Sequence, residues 1–410
     1  MFFWLLKYQF ALNKLVLKKV KIMKNYEKLK GLVGTSNYTN LVEEFPCLIP
    51  LENTQQDLYH HGEGNVWTHT KMVCNSLVSQ SYYINATEDE KFVMFYAALL
   101  HDIGKPACTK NEDGKITSVG HSRRGAIDAR ILLWKKEVPL LLREQIVNII
   151  GCHQVPFFAF KQKDSSTRAN RTPEYLAHEL SWQMPLNLLV NVAKADMLGR
   201  IYSDKQKCLD DIELFEELAK EEGCLYQPKQ FFSIATRMKY FATNGGISPN
   251  YDFYTLPGSE VIVLCGLPAS GKNTWIENNA HGLKVLSYDD AKAELGLTEK
   301  DNPGTAVHMV IDRAKEMLRK KEPFVWNATH LSKQMRGKTL DLLYSYGAKV
   351  KIVYLEVPEL EIKRRNSARD TTLTNSKIDE MLFRWEVPTP IESHEIVFQN
   401  NLMKKNNMKI

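Results

Sequence analysis

The sequence has little that would place the chain outside a cell or in a membrane. Its seven cysteines, few for 410 residues, include no Cys-x-x-Cys pair, so reduced thiols of a cytoplasmic protein are favoured over a disulfide framework. It lacks the run of roughly 20 uncharged apolar residues that a membrane span needs, because lysines such as Lys7 and Lys14 interrupt its apolar start. That start also lacks the charge order and cleavage site of a signal peptide. The sequence therefore predicts a cytoplasmic protein with no membrane partner.

The sequence also lacks a strong excess of positive or negative charge. The chain has 54 Lys and Arg against 48 Asp and Glu, a net charge of +6, which is compatible with a polyanionic partner but does not require one. An apolar fraction of 44% and a charged fraction of 25% exclude a wholly disordered or collagen-like chain. The length predicts two or three domains.

The spacing of apolar residues divides the chain into a helical part and an α/β part. Between residues 40 and 241, apolar residues recur at helical spacing and alternating strands are absent. From Glu260–Cys265 onward, β-branched runs alternate with helical segments, which predicts a central parallel sheet covered by helices. The expected organisation is an N-terminal extension (1–39), an all-α domain (40–241), a linker (242–259), an α/β domain (260–399) and a polar tail (400–410). The extension is either an added amphipathic helix or the product of a start codon assigned too early, with Met23 as the working start.

A glycine-rich loop follows the first strand of the α/β part and opens a helix. Such a loop binds phosphate because glycines let backbone amides turn inward, the helix N-terminus adds partial positive charge, and a lysine reaches the outer phosphates. Asn273 stands where a Ser or Thr hydroxyl usually binds Mg²⁺, although an amide oxygen can also bind a hard cation. The expected nucleotide-binding residues are Gly266, Pro268, Ser270, Gly271, Lys272, Asn273 and Thr274.

Residues suited to phosphoryl transfer follow the later strands. Asp289 comes after the second strand, where its carboxylate can accept the proton of an attacking hydroxyl. Helix capping is the alternative for Asp289, and the stronger one for Asp290. Asn327 ends the third strand, where many P-loop proteins carry a metal-organising Asp. Arg365 and Arg369 lie four residues apart on one predicted helical face and can stabilise the transferring group; a solvated basic face is the alternative.

Histidines and aspartates form a second candidate site in the helical part. Adjacent helix residues point roughly 100° apart, so a His-Asp pair reaches one ion only if other helices supply further ligands. A lone histidine would more often have no ligand role, but a whole series predicts a metal centre. Imidazole with carboxylate suits Mn, Fe, Co, Ni or Zn. The candidate ligands are His69, His101, Asp102, His121, His153 and Asp196.

The motifs of the α/β part resemble the 5′-polynucleotide kinase domain. Gly-x-Pro-x-Ser-Gly-Lys, Asp-Asp-x-x-Lys, Asn-Ala-Thr-His-Leu-Ser and Arg-Asn-Ser-x-Arg occur in that order. The resemblance implies ATP and Mg²⁺ as cofactors, with Asp289 as general base, Lys272 as P-loop lysine and Arg365 and Arg369 as lid arginines. Lys292 stands where the phage type of enzyme has an arginine near the acceptor strand.

The histidine–aspartate series resembles the HD phosphohydrolase superfamily, and its flanks look like the HD modules of tRNA-end-processing nucleotidyltransferases. The resemblance implies two metal ions that activate a water and stabilise phosphoryl oxygens, with Asp102 as the bridging carboxylate. It assigns the basic four ligands to His69, His101, Asp102 and Asp196, and those added in two-metal members to His121 and His153. Candidate phosphate contacts are Lys105, Arg123, Arg124 and Arg200.

The order of the two parts resembles the bifunctional bacterial HD-domain phosphohydrolase and polynucleotide kinase enzymes of RNA end healing. The resemblance implies removal of 2′,3′-cyclic, 2′- or 3′-phosphate from RNA, with DNA left open, phosphorylation of 5′-hydroxyl ends, and a separate RNA ligase downstream. Two alternatives stay open. One is an HD nucleotide phosphohydrolase fused to a nucleoside or sugar kinase. The other is a non-catalytic ATP-binding sensor, which Asn273 and Asn327 favour and Asp289 disfavours.

Overall fold

The computed structural model describes residues 25–161, 171–256, 258–298, 301–302, 304–369, 373–400 and 408–409. Most of the expected N-terminal extension lies outside the described residues. The chain separates into two units, of which the first ends at Pro228 and the second begins at Lys229. The predicted fold class is confirmed: a helical N-terminal region precedes an α/β unit with a five-stranded parallel sheet. In the described part of the chain, no helix is both long enough and apolar enough to span a membrane.

The first unit is built from helices around one apolar core. After a helical segment over residues 25–30, its helices are α1 (Tyr38–Glu44), α2 (Val66–Ser79), α3 (Ser81–Ile84), α4 (Glu88–Leu100), α5 (Lys105–Cys108), α6 (His121–Lys135), α7 (Leu140–Cys152), α8 (Val155–Phe158), α9 (Pro173–Ser181), α10 (Leu186–Leu198) and α11 (Lys205–Glu221). A 3₁₀ segment over Pro46–Asn53 precedes α2.

Helix α4 runs through the centre of this core. Its start is fixed by a capping box between Thr87 and Glu90, followed by acidic residues in the first turn that suit the helix dipole. Every residue from Phe92 to Leu100 is buried, as expected of a helix that is apolar on all sides. The helix therefore delivers the His101-Asp102 pair, which follows it directly, into the interior of the unit.

A small hairpin interrupts the helices of the first unit. Strands β1 (Lys110–Glu112) and β2 (Lys115–Thr117) pair antiparallel around Asp113 and Gly114, both of which have positive φ. The Asp-Gly turn is visible in the sequence, but the strands are not, because β1 is exposed and carries no alternation of apolar and polar residues.

The second unit is a doubly covered sheet. Its strands are β3 (Glu260–Cys265), β4 (Lys284–Ser287), β5 (Phe324–Asn327), β6 (Lys349–Glu356), β7 (Glu395–Asn400) and β8 (Met408–Lys409). Its helices are α12 (Ile234–Ala242), α13 (Lys272–Asn279), α14 (Tyr288–Glu294), α15 (Gly304–Arg319), α16 (Lys333–Ser345), α17 (Glu359–Ser367) and α18 (Asn375–Met381), with short 3₁₀ segments at Leu382–Arg384 and Pro390–Glu392.

The strand order is β4-β5-β3-β6-β7-β8, and all neighbours except β7 and β8 are parallel. In register, Val263 lies opposite Trp326 on one side and Ile352 on the other, and all three are buried. Such continuous apolar runs are typical of parallel strands covered on both faces. The carboxyl ends of β3, β4 and β5 meet at one sheet edge, where nucleotides bind in folds of this kind.

Two of the expected segment boundaries differ from the structure. The boundary between units lies before α12, not at residue 241, because α12 belongs to the second unit: Arg237 donates to the carbonyl oxygens of Ser393 and His394 at 2.9 and 3.2 Å. The predicted polar tail contains a strand, β8, since Met408 pairs with Phe398 through the backbone. Lysine and asparagine content predicts solvation but does not prevent a backbone from completing a sheet edge.

Candidate metal centre and nucleotide site

The six predicted metal ligands come together inside the first unit, and all are buried. Asn65 caps α2 by accepting from Thr68 N at 2.8 Å, which places His69 in the first turn of that helix. The other five stand at helix ends or inside a helix: His101 and Asp102 after α4, His121 at the start of α6, His153 after α7, and Asp196 within α10.

Asp102 lies between two groups of ligand atoms. Its Oδ2 is 3.1 Å from His101 Nε2 and 3.8 Å from His69 Nε2, whereas its Oδ1 is 3.4 Å from His121 Nε2. Ligand atoms of Asp102, His121 and His153 lie within 4.8 Å of one another, and so do those of His69, His101 and Asp102. One carboxylate therefore faces two adjacent positions suited to cations.

Hydrogen bonds at Nδ1 orient three of the histidines. His101, His121 and His153 contact the backbone carbonyl oxygen three residues earlier, at 2.7, 2.7 and 2.8 Å. A ring whose Nδ1–H donates to a carbonyl presents Nε2 as the lone-pair atom. In His153 this Nε2 is buried and has no hydrogen-bond partner among the described residues. Buried polar atoms are nearly always satisfied, so this atom indicates a missing ligand.

Basic side chains close the outer side of this cluster. Lys105 Nζ lies 2.8 Å from Asp102 Oδ2. Arg200 donates a bidentate pair of hydrogen bonds to the Asp196 carboxylate, at 2.7 and 3.0 Å. Gly104 lets the segment after Asp102 pass close to the start of α6, because a Cβ there would lie 2.2 Å from the carbonyl oxygen of His121. Of the other predicted phosphate contacts, Arg123 is exposed, and Arg124 pairs with Asp128 at 2.7 Å on α6.

The protonation of the cluster suits a divalent ion. Burial lowers the pKa of His153 to about 3 and also lowers that of His121, so both rings are neutral at pH 7. Burial alone would raise the pKa of Asp102, but His101 and Lys105 outweigh it and hold that pKa well below its ordinary value. Burial would lower the pKa of His101, but the neighbouring Asp102 outweighs it and raises that pKa, so this ring has to release its proton when an ion binds. Neutral imidazoles beside ionised carboxylates are the donor set of Mn, Fe, Co, Ni and Zn. The residues therefore fit the implied metal.

Sequence reasoning missed a further carboxylate at this cluster. Glu63 Oε1 lies 2.9 Å from Nδ1 of both His61 and His69, and its side chain is buried. No spacing rule marks it, because Glu63 lies in the loop before α2 and reaches His69 only through the fold. The one signal in the sequence is that Glu63 directly precedes the segment Gly64–Thr70, which carries His69.

The second candidate site is the loop between β3 and α13. Gly266 has a φ of +145°, and a Cβ there would lie 2.4 Å from the carbonyl oxygen of Leu355, so only glycine fits. Ala269 and Gly271 also have positive φ, which gives the loop the concave backbone of an anion-binding nest. The structure places all the predicted nucleotide contacts, Gly266, Pro268, Ser270, Gly271, Lys272, Asn273 and Thr274, on this loop and the first turn of α13.

Lys272 folds back over this loop. Its Nζ donates to the carbonyl oxygens of Gly266 and Leu267, both at 2.9 Å. Burial lowers the pKa of Lys272 to about 8. The ammonium group is thus held at the loop by two neutral carbonyl oxygens. An anionic phosphate would bind it more strongly than these oxygens do.

The two unusual asparagines of the site contact each other. Asn327 Nδ2 donates to Asn273 Oδ1 at 2.9 Å, which links the end of β5 to the first turn of α13. Both positions normally carry groups that organise Mg²⁺, so the contact lies where that ion would bind.

Asp289 and Asp290 lie in the first turn of α14, directly after β4. The cap of this helix is Ser287, whose Oγ accepts from Asp290 N at 3.3 Å. Capping by side chain is therefore not the role of either aspartate. Asp289 is exposed at the same sheet edge as the glycine-rich loop and contributes to the electrostatics of Lys272.

The two predicted lid arginines are placed differently. Arg365 lies on α17 and donates from Nη1 to the carbonyl oxygens of Ser270 and Ala269 at 3.3 and 3.5 Å. Arg369 is not on the same helical face, since α17 ends at Ser367 and Arg369 lies in the turn beyond. Asn366 redirects the chain there by donating to the carbonyl oxygen of Leu373 at 2.7 Å.

Comparison with known proteins bears on the second unit. Residues 261–388 match a family model described as an AAA domain. Among solved structures, the chain is similar to a gluconokinase from Sinorhizobium meliloti 1021, at 20% identity over 34% of this chain and 82% of that chain, with a TM-score of 0.26. No curated protein matches the chain. Over the residues of that family model, the second unit is similar to an AAA domain, and its glycine-rich loop is suited to the phosphates of a nucleotide.

Proposed function

We propose that the second unit phosphorylates 5′-hydroxyl ends of polynucleotides. The hydroxyl oxygen attacks the γ-phosphorus of ATP, the bond from that phosphorus to the ADP oxygen breaks, and the hydroxyl proton passes to the Asp289 carboxylate. Lys272 and Arg365 each donate to carbonyl oxygens of the glycine-rich loop, where their charges would neutralise the phosphates of ATP. Arg369, in the exposed turn beyond α17, would add its charge to those phosphates.

The first unit, in this proposal, is a metal-dependent phosphohydrolase acting on 2′,3′-cyclic, 2′- or 3′-phosphate ends. A bound divalent ion supplies Lewis-acid chemistry at the phosphorus and acidifies a water. The six buried ligand residues would hold it, with Asp102 facing both cation positions. Lys105 and Arg200, 2.8 and 2.7 Å from the ligand carboxylates, add positive charge for the phosphate oxygens.

A group of aromatic rings on the segments that carry Glu63 and Arg200 supports a nucleic-acid substrate. Tyr59, His60 and Tyr202 form edge-to-face and tilted ring contacts, with ring centroids 4.9 to 5.7 Å apart. Tyr59 and His60 are exposed, and Tyr202 is half-buried. Exposed aromatic rings next to a phosphate-binding site offer stacking to a nucleobase, worth about 1–3 kcal/mol per base.

The proposal depends on one observation: a single chain contains two separate sites suited to phosphate chemistry, the histidine–aspartate cluster of the first unit and the glycine-rich loop of the second. RNA broken by a nuclease can carry a 5′-hydroxyl at one end and a cyclic phosphate at the other, and a ligase acting afterwards needs both corrected. One activity at each end makes the chain an RNA end-healing enzyme, with a separate RNA ligase as its downstream partner.

The test is to incubate the full chain with ATP, Mg²⁺ and Mn²⁺ or Co²⁺ and an RNA carrying 5′-hydroxyl and 2′,3′-cyclic ends, and to resolve both termini. We expect a 5′-phosphate and a free 3′ end. Free nucleosides and gluconate serve as competing acceptors, and a DNA strand tests the choice of nucleic acid. Phosphorylation of a small acceptor with no change at either RNA end would overturn the proposal in favour of a small-molecule kinase. Tyr59→Ala should weaken the action on RNA more than on a mononucleotide.

A further inference from the structure

We propose that Glu63 is a positioning residue of the metal centre, and that it fixes His69 in the tautomer whose Nε2 can bind an ion. The inference rests on the metal-dependent function proposed above. Glu63 is not one of the six predicted ligands, and two of its contacts, with His61 and Ile201, lie outside that set.

Glu63 is itself fixed on three sides. Its side chain is 1% exposed, its Oε1 lies 2.9 Å from Nδ1 of both His61 and His69, and its Oε2 accepts from Ile201 N at 2.9 Å. The neighbouring Gly62 N donates to the carbonyl oxygen of Ile201 at 2.9 Å, which ties the same two segments together. The carboxylate is therefore held in place by two parts of the chain and has little freedom to move.

The far side of the His69 ring faces the ligand cluster. Its Nε2 lies 3.0 Å from Asp196 Oδ1 and 3.3 Å from His101 Nε2. Both ring nitrogens of His69 therefore face a carboxylate oxygen, which only accepts hydrogen bonds. Asp196 is itself a predicted ligand, so an ion held beside it would take the lone pair of Nε2, and the proton of a neutral His69 would then be on Nδ1, next to Glu63. Glu63 is thus the acceptor that stabilises the tautomer able to bind that ion.

His69 differs in this respect from the other ligand histidines. The Nδ1 atoms of His101, His121 and His153 face neutral backbone carbonyls, as described above, whereas that of His69 faces a charged carboxylate. A charged acceptor makes the imidazole a more basic ligand, and loss of such a partner typically costs about 10- to 100-fold in metal affinity. His61 shares the same oxygen and thus helps to hold the carboxylate toward His69.

The test compares the full chain with its Glu63→Gln variant. Glutamine keeps the size of the side chain, but its amide group turns a donor toward one of the two histidines. We expect binding of Mn²⁺ and of Co²⁺, titrated directly, to weaken about 10- to 100-fold. Glu52→Gln, an exposed change in the same N-terminal stretch, is the matched control and should leave the affinity unchanged. ATP binding by the second unit and the thermal unfolding profile report on folding.

The tautomer is read separately by nuclear magnetic resonance of the zinc-loaded chain labelled with ¹⁵N-histidine, with His69 assigned through a His69→Asn variant. We expect Nδ1 of His69 to carry the proton. A proton on Nε2 in the wild type overturns the inference even if the variant fails to fold. So does unchanged affinity in folded Glu63→Gln when Asp102→Ala loses the ion. A wild-type chain that binds none of these ions overturns the proposed phosphohydrolase function, and this inference with it.

Discussion

Asn327 donates a hydrogen bond to Asn273 over 2.9 Å, so the two positions at which the nucleotide site departs from the usual P-loop pattern are in direct contact. In the usual pattern a hydroxyl and a carboxylate organise Mg²⁺ at these positions. Here the amide pair keeps the link between strand and helix but carries no charge. Amide oxygens can bind Mg²⁺, yet a neutral pair attracts the ion less than a carboxylate does.

Replacing Asn327 by Asp should therefore lower the Mg²⁺ requirement of the second unit. We expect the Mg²⁺ concentration for half-maximal ATP hydrolysis or transfer to fall by about tenfold, which corresponds to ~1.4 kcal/mol. Asn278→Asp, on the exposed face of α13, adds the same charge away from the contact and serves as the control. An unchanged requirement in Asn327→Asp would show that the ion does not bind near this pair.

Asp289 should be essential for transfer, whereas Asp290 should not. Loss of a general base typically costs about 10²- to 10⁴-fold in rate, so Asp289→Ala should reduce kcat for 5′-phosphorylation by that factor with ATP binding retained. Asp290→Ala removes the neighbouring carboxylate from the same helix turn, and we expect a change below about threefold in kcat.

Each of the two proposed activities should be lost without loss of the other. Asp289→Ala should leave phosphate removal at the other RNA end intact, and Asp102→Ala should abolish that removal while the kinase activity persists. Asp289→Ala that phosphorylates RNA at the wild-type rate would exclude this residue as the base.

Much of the architecture could be predicted because it depends on local pattern. The run Glu260–Cys265 is β-branched, apolar and followed by glycine, and the strand has those bounds. The predicted ligand residues stand out by chemical type, and most of them lie at helix ends. Contacts that the fold determines are different. Asn273 and Asn327 belong to segments far apart in the chain, and Glu63 faces His69 in a loop that a hydrogen bond from Ile201 N holds in place. Arg369 illustrates a third case, in which side-chain hydrogen bonds of Asn366 end a helix that spacing alone would continue.

Arg365 should contribute to phosphoryl transfer because it contacts the glycine-rich loop. Its guanidinium donates to the carbonyl oxygens of Ala269 and Ser270 and is oriented by Glu361 at 2.9 Å. Arg365→Ala should lower kcat by about 10²-fold or more, as expected when a preorganised charge is removed from a transition state. Arg364→Ala is the matched control, since Arg364 is exposed on the same helix and also pairs with Glu361. Equal effects of the two substitutions on kcat would indicate a role in helix stability only.

Glu144 should stabilise the first unit in a pH-dependent way. It contacts Arg130 and the fully buried Arg143, both at 2.9 Å. Burial would raise the pKa of Glu144, but the two arginines outweigh it and lower the pKa. A lowered carboxyl pKa gives stability that is present above the ordinary value of about 4.3 and is lost as the pH falls through the folded-state pKa.

Glu144→Ala should reduce the free energy of unfolding by about 3–5 kcal/mol at pH 7, because a buried charge pair is broken. Urea unfolding of the first unit measures this change, and the difference from wild type should shrink in acid as wild-type Glu144 is protonated. The exposed Glu213→Ala on α11 should have no such effect. A difference that is the same at pH 7 and at about pH 3 would mean that packing, not charge, is lost.

The affinity for ATP should fall as the pH rises above about 8. Burial lowers the pKa of Lys272 to about 8, and only the charged amine binds phosphate well, so the nucleotide-free site loses its ammonium above that pH. Bound phosphate favours the charged form and raises the pKa, and linkage then predicts an affinity that is flat between pH 7 and 8 and declines by up to tenfold per pH unit above. ATP binding at saturating Mg²⁺ measures the profile. Lys272→Arg keeps its charge throughout and should bind more weakly but without this decline; a wild-type profile that stays flat to about pH 9.5 would contradict the role of the lysine.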